Sequence, residues 1–93
     1  MIYFVYVLRN PKGSFYIGYS NNLKRRLVEH QQGKTYTTRR LGGPWKLIYF
    51  EACVHIWDAR KRENFLKTGP GRAFLKKRLR YFLEQNKITP KLE

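Results

Sequence analysis

Residues 2–8, Ile2-Tyr3-Phe4-Val5-Tyr6-Val7-Leu8, constrain this chain more than any other stretch. Read as a strand, they are apolar on both faces: Ile2, Phe4, Tyr6 and Leu8 on one, Tyr3, Val5 and Val7 on the other. A strand with no polar face belongs in the middle of a sheet covered on both sides. Arg9-Asn10-Pro11-Lys12-Gly13 then gives a turn signal, and Ser14–Gly18 follows as a second short strand, so residues 2–18 read as a β-hairpin. A three-residue loop, Asn10-Pro11-Lys12, sets Tyr6 opposite Tyr16 with both phenols on one face.

After Ser20 the period changes. Ser20 or Asn21 is positioned to cap a helix whose apolar positions are Leu23 and Leu27, ending near Gly33. Residues 33–44 lack periodicity and read as a loop, and Trp45–Val54 as a third strand. A second helix is expected over about 56–67, stopped by Thr68-Gly69-Pro70-Gly71. A third, about 71–84, carries Leu75, Leu79, Phe82 and Leu83 on one side. The order β-β-α-β-α-α predicts an α+β domain, a small three-stranded antiparallel sheet flanked by helices, over residues 1–85, with a polar tail at 86–93.

Charge narrows the partners. Twenty Lys and Arg stand against six Asp and Glu, a net +14, while 42% of residues are apolar, too many for a disordered basic tail. Such an excess over a folded domain points to a polyanion, DNA or RNA, rather than a membrane. No apolar run spans a bilayer, and the N-terminus lacks the basic region and small-residue site of a signal peptide, so a cytoplasmic protein is expected. The single cysteine, Cys53, allows neither an internal disulfide nor a thiolate zinc site and reads as a buried small hydrophobe. A bulky small-molecule cofactor is not expected in so small a core.

Three polar positions on helices stand out. Arg26 and His30 are four residues apart and flank the Leu23/Leu27 stripe. They suit a phosphate and a proton, or an ion pair and a helix end. Glu63 falls on the apolar stripe of Ile56, Ala59 and Leu66, where a carboxylate needs a basic partner or a metal ion.

Together these residues resemble the GIY-YIG nuclease domain over nearly the full chain. The first motif stands as Phe4-Val5-Tyr6, its glycine and isoleucine replaced but its tyrosine kept, and the second is an intact Tyr16-Ile17-Gly18. Arg26 lies ten residues after Tyr16, His30 follows where many members place a histidine, and Glu63 precedes the family's Leu-Lys in Leu66-Lys67. The resemblance is to the short stand-alone branch, and to the nuclease domain of the excision-repair incision subunit. It implies Mg²⁺-dependent (or Mn²⁺-dependent) endonucleolytic hydrolysis of DNA, structure-selective and tied to repair or recombination. Under it Glu63 ligates the metal, Tyr6 activates water as a phenolate, Tyr16 orients that water, Arg26 neutralises the phosphate and His30 assists. Some members carry an asparagine after the glutamate; twelve residues past Glu63 this chain has Leu75, and no residue is carried over. Lys24, Arg25, Arg39, Arg40, Lys76 and Lys77 are candidate phosphate contacts for branched, damaged or single-stranded DNA, with RNA also open. The alternative is a basic nucleic-acid-binding module, or an adaptor in a larger assembly, that does not cut.

Overall fold

The computed structural model describes residues 1–87. The hairpin is β1 (Tyr3–Arg9) and β2 (Phe15–Ser20), and β1 also pairs antiparallel with β3 (Lys46–Cys53), giving the sheet order β2-β1-β3. The strand that is apolar on both faces is therefore the central one. Val5, Tyr6, Val7 and Leu8 are all buried.

The hairpin register differs from the expected one. The loop is five residues, Asn10–Ser14, with Gly13 at a positive φ of 86° and buried Asn10 accepting from the Ser14 amide at 2.8 Å. Tyr6 consequently faces Gly18, and Tyr16 faces Leu8. A shift of two residues keeps side-chain parity, so the two phenols still share a face, now on the diagonal.

Helices cover both faces. On the Tyr6 face lie α1 (Leu23–Gln31) and α2 (Tyr36–Leu41), and Tyr6, Leu8 and Trp45 pack with Tyr16, Leu23, Leu27, Leu41 and Leu47. On the other lie α3 (Ile56–Leu66) and α4 (Gly69–Arg78), with Val5, Val7 and Ile17 packed against Ala59, Leu66 and Leu75. α5 (Arg80–Gln85) continues the third expected helix after a break at Leu79, and its Phe82 and Leu83 stay half-buried. α3 and α4 cross so closely that a Cβ on Gly71 would sit 1.9 Å from the Phe65 carbonyl oxygen.

α2 is the element that the sequence reading placed in a loop. Thr35 precedes it, and Gly42, at φ 87°, ends it. Asn10 donates to the Gly42 carbonyl at 3.0 Å, and the Trp45 indole N–H donates to the Thr38 carbonyl at 3.1 Å, so both flanks are fixed. Gln31 closes the same region: its side-chain amide hydrogen-bonds the Trp45 backbone on both sides, accepting from the Trp45 N–H at 2.9 Å and donating to its carbonyl. Two smaller corrections accompany it. Asn22, not Ser20 or Asn21, caps α1, accepting from the Arg25 amide at 3.0 Å. Cys53 is half-buried rather than in the core. Of the expected tail, Asn86 is held by Arg9, which donates to its carbonyl at 2.8 Å, and residues 88–93 lie outside the described residues.

Candidate active site

Three elements bring four of the expected site residues together. β1 supplies Tyr6, the edge strand β2 supplies Tyr16, and α1 lies over them with Arg26 and His30. Gly18 makes this possible. A Cβ there would meet the Tyr6 hydroxyl at 2.6 Å, its Cζ at 2.7 Å and Tyr16 Cε2 at 3.1 Å, so both phenols lean over bare backbone. The rings of Tyr6 and Tyr16 are 6.3 Å apart, and the His30 imidazole is 4.8 Å from Tyr16 and 5.7 Å from Tyr6.

The Tyr6 oxygen and His30 Nε2 are 2.7 Å apart, and both residues are buried, at 0% and 2% exposure. Burial drives both toward neutrality. It pushes the Tyr6 phenol well above the ordinary tyrosine value, with Tyr16 and Glu63 adding to the effect and Arg26 opposing it. Burial also pulls His30 down to about 4, helped by the Arg26 charge and resisted by Glu29. A neutral imidazole beside a protonated phenol fixes the direction of the bond: the Tyr6 O–H donates to Nε2. The Nδ1–H then donates to two threonine hydroxyls, Thr35 at 2.8 Å and Thr38 at 3.0 Å, themselves 3.0 Å apart. In the free protein Tyr6 is thus a phenol. This differs from the phenolate that the resemblance implies for the reacting state.

Arg26 is half-buried and donates to Glu29 at 3.0 Å, one turn along α1. Its own burial disfavours its charge, but the bond to Glu29 and the nearby Tyr6 phenol outweigh that and raise its pKa, while the bond from Arg26 holds Glu29 below the ordinary carboxylate range. Arg26, Arg25, Tyr3, Tyr19, Ser20, Asn21 and Ile56 line a recess of about 350 Å³ beside the C-terminal end of β2. Glu63 comes from α3, and its charge acts on Tyr6. Of the four ion-paired carboxylates among the described residues its side chain is the least exposed, at 14%, and its partner is Lys67 at 3.2 Å. Lys67 in turn lines a second recess, at the other end of β2, with Tyr16, Thr37 and Arg72. Among the described residues no three His, Cys, Asp or Glu side chains gather into a metal cluster.

The six cations expected to contact phosphate are all exposed and are spread over α1, α2 and α4. Arg25 shares the Arg26 recess, whereas Lys76 borders a cleft with Arg9, Phe15 and Arg72, and Lys77 one with Arg78 and Arg80. Lys24 opens α1, and Arg39 and Arg40 close α2. Thr35 and Thr38 are the site residues that sequence reading missed. Their signal was present in Thr35 three positions before Thr38 and in Gly42 as a helix stop.

Fold and site define a GIY-YIG catalytic domain, whose profile matches residues 2–72, and the chain belongs to the GIY-YIG family. A nuclease-type function acting on nucleic acid comes with that membership. The chain is similar to UPF0213 proteins. It is 43% identical over 67 residues to one from Limosilactobacillus reuteri, covering 70% of each chain. It is 36% identical over 83 residues to one from Oceanobacillus iheyensis, covering 89% of this chain and 94% of that one. The solution structure of the UPF0213 protein BH0048 from Bacillus halodurans superposes with a TM-score of 0.51 at 32% identity, over 81% of this chain and 82% of the other. No helix among the described residues is long and apolar enough to cross a membrane.

Proposed function

We propose that the chain is a divalent-metal-dependent endonuclease that hydrolyses phosphodiester bonds in DNA, selecting structure rather than sequence, in repair or recombination. Its working groups are Tyr6, Tyr16, Arg26, His30 and Glu63. The observation that supports this best is the 2.7 Å bond from the Tyr6 hydroxyl to His30 Nε2. A fully buried phenol has been given a proton acceptor that burial itself keeps unprotonated.

Water attacking phosphorus must lose a proton. Tyr6 is fully buried in the free protein, so the step requires substrate binding to admit that water to the Tyr6 oxygen. The oxygen then takes the proton while its own hydrogen passes to Nε2, and the threonine hydroxyls hold the ring so that Nε2 stays aimed. Tyr16, against the same imidazole, fixes the approach to Tyr6. Arg26 presents donors to the phosphate oxygens, with Glu29 holding the guanidinium in place until the substrate arrives.

Glu63 would hold the metal. Mg²⁺ keeps several waters and uses one or two carboxylates plus substrate phosphate, a demand that a single half-buried glutamate meets. Mn²⁺ fits the same oxygen donor. When bound, such an ion supplies positive charge to the phosphate and to the leaving oxygen.

The Glu63–Lys67 pair favours a second reading, in which Glu63 is structural and the domain only binds nucleic acid. Incubation of plasmid and branched DNA with Mg²⁺ or chelator, beside Arg26→Ala and Glu63→Gln, separates the two. Metal-dependent cleavage lost in both variants is expected. No cleavage by the parent, with binding indifferent to chelator, selects the second reading.

A further inference from the structure

Trp57 stands 63% exposed on the first turn of α3, leaving a large apolar ring in water. It is not isolated. The Arg60 guanidinium lies 5.1 Å from the Trp57 ring and 5.8 Å from the Tyr19 ring. None of the ion pairs among the described residues involves Arg60, so its interactions here are with the aromatic faces. Tyr19, and Ile56 next to Trp57, line the same recess as Arg25 and Arg26. An aromatic and cationic surface therefore runs from Trp57 through Arg60 and Tyr19 to the arginine of the proposed site.

We propose that Trp57, Arg60 and Tyr19 form a stacking platform for one unpaired base of a DNA strand whose adjacent phosphate is held by Arg25 and Arg26. The proposal rests on the nuclease reading and names its substrate class: DNA with an unpaired nucleotide beside the reacting phosphate. Every base has a π face that a tryptophan or guanidinium can cover, so the platform reads no sequence. Bases inside a duplex already stack on both sides and have no free face. A flap, gap or frayed end does. The recess, about 350 Å³, is at the small end of ligand clefts and suits a single nucleotide rather than a helix.

The test is anisotropy titration, in chelator, of a blunt duplex and of the same duplex bearing a single-stranded flap. Trp57→Ala is expected to weaken flap binding about tenfold, about 1.4 kcal/mol, and blunt-duplex binding less than twofold. Trp57→Phe should recover most of the loss with an unchanged thermal midpoint. Because stacking releases no counterions, Trp57→Ala should leave the slope of log Kd against log salt alone, whereas Arg25→Ala should lower it by about one. Equal weakening on both DNAs overturns the platform. So does no weakening on either. Cleavage of the flapped DNA in Mg²⁺ is scored in parallel. Absent cleavage with the flap preference intact overturns the proposed function alone, and cleavage with no Trp57 effect overturns the platform alone.

Discussion

Lowering the pH should destabilise this protein through His30 before any carboxylate matters. In the unfolded chain an imidazole titrates near 6.5, and in the fold burial brings His30 to about 4. The native pKa is depressed, so the unfolded state binds the proton more tightly, and stability falls as pH drops below 6.5. The gap of about 2.5 units, at about 1.36 kcal/mol per unit, comes to about 3 kcal/mol by pH 4. At 2% exposure little solvent screening reduces that figure. Glu29 and Glu51, held below 4.5 by Arg26 and by Arg62, give up their contributions only below that value. Between pH 7 and 5 the histidine therefore acts nearly alone, and about 2 kcal/mol should vanish. Urea unfolding followed by circular dichroism reads this as a midpoint lower by about 1 M at pH 5. His30→Gln keeps a polar side chain without the titration and should flatten the dependence, whatever its own stability. A midpoint unmoved between pH 7 and 5, or an equal slope in His30→Gln, refutes the buried neutral imidazole.

Gly18→Ala places a methyl 2.6 Å from the Tyr6 hydroxyl, and should cost about 2–4 kcal/mol and most of the cleavage activity. Differential scanning calorimetry checks the first and the plasmid assay the second. Thr38→Val alone should cost about 1 kcal/mol because Thr35 still accepts from His30 Nδ1. The Thr35→Val, Thr38→Val double variant should lose more than the sum of the singles, measured as a coupling energy in urea. Gly71→Ala, with its Cβ against the Phe65 carbonyl, should fail to give a cooperative transition on heating. Arg26→Ala should lower cleavage by about a hundredfold or more while weakening DNA binding only severalfold, read by single-turnover kinetics beside titration.

The sequence made some elements plain and hid others for identifiable reasons. β1 was legible because two apolar faces leave only the centre of a sheet. Arg26 and His30 were legible as a pair because helical spacing is rigid. The hairpin register was not, since Asn10 holds the loop open through a side-chain bond to Ser14 that composition does not announce. α2 escaped for a similar reason. Six residues cannot show a period, and this helix is held by Asn10 and Trp45 rather than by an apolar stripe of its own. The roles of Thr35 and Thr38 disappeared with it. Glu63 was visible as an acid on an apolar face, but its pairing with Lys67 is one of several that twenty cations could have offered.

Among the described residues, the three-strand order leaves β2 and β3 each with an unpaired outer edge. Such edges invite the same edge of another copy, and long sheets grow that way. A net +14 on every molecule keeps the copies apart. The charge that suits the domain to nucleic acid would thus also act as a colloidal guard on the sheet. Salt or a polyanion in excess should lift both together, with light scattering rising over the range in which DNA affinity falls.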